Sequence, residues 1–170
     1  KYWITMNEQN IFTSFGWLKG MHPPGKIDEE KLFYQVNHHA FMAHAKSVLA
    51  LKKLHPEALV GSSFAYGPSY AIDCHPENAM AKADYDDLKN YYWMDVYAYG
   101  RYPRAAMAYL ESRDVAPQME AGDAEILKEY ADKFDLTIDL WSIDDFGGWD
   151  NAYETYFDDG ALFDQIYNHS

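Results

Sequence analysis

Two residues with chemistry to offer stand side by side near the start of the chain, Asn7 and Glu8, in the stretch KYWITMNEQNIF. A carboxylic acid held among apolar and aromatic neighbours has its charged form disfavoured, so its pKa rises and it can donate a proton near neutral pH. An amide beside it both donates and accepts hydrogen bonds, which is what holding a sugar hydroxyl requires. Glycosidic oxygen leaves readily only when protonated, so the pair suits glycoside hydrolysis, provided a second carboxyl attacks or activates water. The dipeptide alone also fits a solvated helix start after a strand, and the two residues leave both readings open.

Positioning such a pair is the task of the surrounding elements. Lys1 to Thr5 carries Tyr, Trp, Ile and Thr and reads as a buried strand, which puts Glu8 at its carboxyl end. In parallel α/β folds the loops that open at the strands' carboxyl ends carry the functional side chains. Residues 9–26 read as a loop, with Gly16, Gly20 and His22-Pro23-Pro24-Gly25 as breakers. Asp28 is expected to cap a long helix with Phe33, Val36, Ala40, Ala43, Ser47, Leu51 and Leu54 on one stripe, stopped by Pro56. Leu59 to Phe64 predicts a second strand, and Pro76 opens a helix running to about Tyr99 and ended by Gly100. Pro103 to Ser112 and Asp123 to Lys133 predict two more helices, and Phe134 to Ser142 a third strand. Helices between single strands imply an α/β fold with a parallel sheet wound by crossovers.

Composition narrows the partners. With 27 acidic and 14 basic residues the net charge is −13, and such a field repels nucleic acid and anionic membrane surfaces, so neither is expected as a partner. No apolar run approaches the roughly 20 residues that cross a bilayer. Cys74 is the sole cysteine, which excludes an internal disulfide and favours a reducing, cytoplasmic setting. Lys1 already lies in strand-like sequence, so the chain reads as a piece of something longer.

Other candidate sites are weaker. Asp144, Asp145, Asp150, Asn151, Asp158 and Asp159 supply oxygen ligands, but no spacing matches a calcium loop and a solvated acidic stretch is the simpler reading. His38 and His39 point about 100° apart on one helix, so they do not share a metal; one is expected to pack and the other to be exposed. No metal and no cofactor is called for. Trp141, at a predicted strand end, is the best-placed sugar-stacking ring, whereas Trp93 is expected to pack inside its helix.

The stretch YWITMNEQNIF resembles the T-F-N-E-P acid/base motif of glycoside hydrolase family 1, in the form found in its 6-phospho-β-glucosidases and related bacterial β-glucosidases. The likeness continues through VNHHAFMAHAKSVLALKKLHPEALVGSSFAYGPSY and MEAGDAEILKEYADKFD, covering roughly residues 1 to 135. It implies a (β/α)8 TIM barrel that hydrolyses β-glucosides or phosphorylated disaccharides with retention. In that barrel residues 1–142 would form a central part, a fragment of about strands 4 to 6, followed by an acidic, aromatic tail over 143–170. By the same resemblance Glu8 is the general acid/base and Asn7 holds the sugar's 2-hydroxyl. Met6 stands where the motif has Phe, and Gln9 where the β-glucosidase form has Pro. The family's T-E-N-G nucleophile motif is absent from the sequence, and after Asp135 the pattern departs, with Leu140 in place of Asn and Trp141 in place of Tyr. The isolated chain is therefore expected to be inactive, with the rest of the barrel, or a second copy, as its partner. The alternative is a non-catalytic carbohydrate-binding or assembly fragment.

Overall fold

The computed structural model describes residues 1–134 and the backbone of 136–139. Three strands, β1 (Tyr2–Asn7), β2 (Leu59–Phe64) and β3 (Leu136–Asp139), form one parallel sheet in the order β1-β2-β3. Between β1 and β2 come α1 (Gln9–Trp17) and α2 (Glu30–Leu54); between β2 and β3 come α3 (Pro76–Asp86), a π-helical turn (Asp87–Tyr91), α4 (Tyr92–Tyr99), α5 (Arg104–Ser112) and α6 (Asp123–Ala131). The second strand, the Pro76 helix start and the Gly100 stop stand where composition predicts them.

Val60, Ser62 and Phe64 on β2 are buried towards the helices, with α2 against both β1 and β2. By strand alternation Tyr2, Ile4 and Leu59 share the opposite face, and all three are exposed, Tyr2 at 72%. Gly61 and Ser63, further along that face of β2, are buried, so the exposed apolar side chains gather at the start of β1 and β2. The register of β1 on β2 slips between Ile4 and Met6, where Thr5 is the extra residue of a bulge. Its hydroxyl turns to the helix layer and meets His44 Nδ1 at 2.7 Å.

Several expectations are corrected; β1, read as a buried strand, is exposed at Tyr2, Trp3 and Ile4 because among the described residues it is an edge strand paired on one side by β2. Residues 9–17 are helical, not loop: Gly16 is no breaker, because a β-carbon there would stand 3.0 Å from the Pro23 carbonyl, so the absent side chain lets the following loop fold back onto α1. Asp28 is not the cap of α2; it has a left-handed backbone (φ 55°), and Glu29 is the cap residue, held by its N–H bonding to the Trp17 carbonyl at 3.0 Å. The buried face of α2 is Phe33, Tyr34, Asn37, His38, Phe41, Met42, His44, Ala45 and Val48, while Ala43, Ser47 and Leu54 are exposed. Hydropathy misplaced that stripe because Asn37, His38 and His44 are buried with hydrogen-bond partners, which removes the cost of burying them.

The helix predicted from Pro76 to Tyr99 is interrupted by the π turn. Asp86, buried just before it, accepts from Asn90 Nδ2 at 2.9 Å and Ser69 Oγ at 2.6 Å and pairs with Lys82 at 2.6 Å. Asn90 in turn holds Gly67 through both its N–H (3.3 Å) and its carbonyl (2.9 Å). The inserted residue of the turn keeps both side chains aimed at the loop leaving β2.

Candidate active site

Glu8 is the joint between sheet and helix. Its N–H continues the parallel ladder to the Ser63 carbonyl at 3.0 Å, while its own carbonyl accepts from Ile11 N (2.9 Å) and Phe12 N (3.1 Å), the first bonds of α1. One residue serving both elements must turn sharply, and Glu8 does so with a left-handed backbone, φ 43° and ψ 52°. Residues bearing a β-carbon adopt that conformation rarely, and such strain gathers at functional sites. The result is a half-buried glutamate at the carboxyl end of β1.

Asn7, its neighbour, is exposed, and its Oδ1 accepts from Ser63 Oγ at 2.7 Å. With the oxygen held by Ser63, the amide N–H groups have no partner among the described residues. Ser63 thus grips both candidate residues, one through its backbone and one through its side chain. The sequence reading missed it; the one available signal was a pair of serines, Ser62 and Ser63, inside an otherwise apolar strand.

Below this pair lies a buried amide network. Gln9, fully buried, donates from Nε2 to the Asn37 carbonyl (3.0 Å) and to Asn37 Oδ1 (2.9 Å), and its Oε1 accepts from the Tyr97 hydroxyl at 2.9 Å. Trp93 Nε1 also donates to Asn37 Oδ1 at 3.2 Å, while the Thr13 hydroxyl, 3.1 Å from that oxygen, has its closer acceptor in the Gln9 carbonyl at 2.6 Å. Burial pushes the Tyr97 hydroxyl well above its ordinary range, so it keeps its proton and serves as a donor. Asn10 clasps the residue after β2, donating to the Ala65 carbonyl at 2.8 Å and accepting from the Ala65 N–H at 3.3 Å. Trp93 packs, as expected from its helix.

A second polar cluster belongs to the helix layer. His38 is buried between the Tyr102 hydroxyl (2.9 Å) and Asp123 Oδ2 (2.8 Å), and His39 is exposed. The hydrogen bond from His38, with one from Glu120 N–H, holds the Asp123 carboxyl below its usual range. A cavity of about 450 Å³ beside this cluster is lined by Gln35, His39, Lys46, Glu120 and their neighbours on α2 and the approach to α6. Trp141 and the acidic cluster from Asp144 to Asp159 lie outside the described residues.

The family model for glycosyl hydrolase family 1 matches residues 1–151, running past the departure after Asp135. Over 127 residues the chain is 42% identical to an aryl-phospho-β-D-glucosidase of Bacillus subtilis, covering 75% of this chain and 26% of that protein. It is 31% identical over 134 residues to a 6-phospho-β-glucosidase of Escherichia coli, covering 78% and 28%. Among solved structures it is similar to a β-glucosidase from Exiguobacterium marinum (TM-score 0.69, 23% identity, 82% of this chain and 32% of that one). It is also similar to the β-glucosidase from Thermotoga maritima in complex with glucoimidazole (TM-score 0.68, 23% identity, 82% and 30%). The chain thus spans about a quarter to a third of the length of the relatives it matches.

Proposed function

The chain belongs to glycosyl hydrolase family 1, and on that premise we propose that it carries the acid/base half of a retaining β-glucosidase or 6-phospho-β-glucosidase. In this reading β1, β2 and β3 are about the fourth to sixth strands of the barrel, and residues 1–142 are its central part. Glu8 protonates the departing glycosidic oxygen and later takes a proton from water. Asn7 holds the 2-hydroxyl of the sugar with the amide N–H groups that Ser63 leaves free, and Trp141 stacks on the pyranose. The exposed side chains of Tyr2, Ile4 and Leu59 are ones that the rest of the barrel, or a second copy, would cover. The sole cysteine favours a cytoplasmic setting.

The observation that carries the reading is the half-buried Glu8 in a left-handed turn at a strand's carboxyl end, next to an exposed amide whose oxygen is held by Ser63. Because the T-E-N-G nucleophile is missing from the sequence, the covalent step needs residues from elsewhere. The test is therefore a chimera in which residues 1–134 replace the matching segment of the Bacillus subtilis relative. Hydrolysis of an aryl β-glucoside or its 6-phosphate, lowered about 10²–10⁴-fold by Glu8→Gln, is the expected result. Turnover unaffected by Glu8→Gln would overturn the assignment. The other reading, a non-catalytic carbohydrate-binding fragment, predicts that the 170-residue chain binds cellobiose in titration calorimetry while the chimera turns nothing over.

A further inference from the structure

We propose that Gln9 is a positioning residue for Glu8: the buried amide network around Gln9 and Asn37 holds α1 at one rotation about its axis, and thereby holds the Glu8 backbone in its left-handed turn. The importance of that turn rests on the reading of Glu8 as acid/base.

A residue with a β-carbon stays left-handed only where its surroundings over-determine the backbone. Upstream, the Glu8 N–H is tied to Ser63. Downstream, Gln9 is the first residue of α1, where helix geometry leaves the backbone N–H without an intrahelical partner and so holds the start of the helix weakly. The Glu8 carbonyl already accepts from Ile11 N and Phe12 N within α1, and the Gln9 side chain adds an anchor that reaches outside the helix. Both Nε2 hydrogens are taken by Asn37, and Oε1 takes the Tyr97 proton, so the amide has one orientation in which its donors and acceptor are all served. Asn37 is itself pinned, donating from Nδ2 to the Phe33 carbonyl at 3.0 Å while its oxygen accepts from Gln9 and Trp93. The start of α1 is thus tied to α2 and α4. Filling space here would need only an apolar side chain, which carries no desolvation cost; an amide bonded at every hydrogen adds direction, and direction is what a strained neighbouring residue requires.

The test reads the Glu8 backbone in the 170-residue chain, without substrate. Left-handed backbone brings the amide hydrogen close to its own Hα, so the native chain is expected to give a strong intraresidue amide-to-Hα nuclear Overhauser effect at Glu8. Gln9→Met keeps the volume and removes both polar groups. It is expected to lower that signal by about half, as left-handed and extended turns exchange, and to speed hydrogen exchange at the Glu8 N–H. Val48→Ala, a core truncation outside the network, is expected to leave both unchanged. A Glu8 signal as strong in Gln9→Met as in the native chain overturns the proposal, and so does an equal loss in Val48→Ala. Should Gln9→Met not fold, Tyr97→Phe, which removes one hydroxyl, is expected to weaken the signal in the same direction, and an unchanged signal there is equally fatal. Since no turnover is measured, failure here leaves the acid/base role of Glu8 untouched, and failure of that role in the chimera leaves this result standing.

Discussion

His44 Nε2 and the Tyr130 hydroxyl lie 3.0 Å apart in the layer between α2 and α6, and the proton on that bond belongs to the histidine. Tyr130 has one hydroxyl hydrogen, and it is spent on the Tyr97 carbonyl at 2.6 Å, so its oxygen accepts from Nε2–H. Burial disfavours the charged ring, so Nδ1 carries no proton and accepts from Thr5 Oγ1, which lies 2.7 Å away and 3.2 Å from the Gly61 carbonyl. His44 is therefore a neutral imidazole that ties the β1 bulge through α2 to α6.

That neutrality makes acid the weak side of the fold. Burial pushes the His44 pKa down to about 3, against 6.5 for an exposed imidazole. A depressed folded value means the stabilisation is complete above pH 6.5 and is lost as pH falls towards 3, at about 1.4 kcal/mol for each pH unit. His44→Gln should flatten the acid limb of urea-denaturation stability between pH 6 and 4 relative to the native chain. Parallel curves for the two proteins would refute the assignment.

Gly100 ends α4 with φ 62°, and a β-carbon there would sit 2.1 Å from the Leu127 carbonyl oxygen. Backbone, not a flexible side chain, is the obstacle, so α4 and α6 would have to separate. Gly100→Ala is expected to cost roughly 2–4 kcal/mol in denaturant melts, combining left-handed strain with overpacking.

Gln9→Pro would bring in the residue of the β-glucosidase form of the motif. Proline suits the first turn of a helix, yet it pushes the preceding residue towards extended backbone, and that residue is Glu8 at φ 43°. The exchange also strips Asn37 and Tyr97 of buried partners, worth about 1–3 kcal/mol for each group left unsatisfied. Calorimetry should show a lower melting temperature than Gln9→Met, and a Pro variant as stable as native would refute the left-handed turn.

Asp86 holds the loop after β2 to the π turn. Burial alone raises its pKa, but hydrogen bonds from Lys82, Ser69 and Asn90 outweigh that, and the carboxyl sits below its ordinary value. Its contribution is thus present above about pH 4 and fades as pH falls below that. Asp86→Asn should destabilise the chain at pH 7 by about 1–3 kcal/mol and by less at pH 3, as measured by chemical denaturation.

Asn7→Ala in the chimera tests the exposed amide. If its N–H groups hold a sugar hydroxyl most tightly as charge develops, kcat should fall about 10²-fold with little change in KM. A rise in KM alone would assign Asn7 to ground-state binding.

Much of the scaffold was readable beforehand because its signals are local. The β-branched and apolar run of Leu59 to Phe64, the proline opening α3 and the glycine closing α4 act within a few residues of themselves. The errors share a different cause. Gly16 looked like a breaker and is an approach point for Pro23; the stripe on α2 followed hydropathy, while Asn37, His38 and His44 are buried on partners 28 to 86 residues away.

The order of residues by itself determined the alternation of strand and helix, the family, and the adjacent amide and acid at the end of β1, because short-range preference and collinear likeness need no third dimension. Only the tertiary structure decided that Glu8 turns left-handed, that Ser63 orients Asn7, and that Gln9 is a buried anchor. Those outcomes depend on hydrogen bonds whose donors and acceptors meet only once the sheet and helices have packed, and a polar side chain becomes stable in a core only when its distant partner is there to receive it.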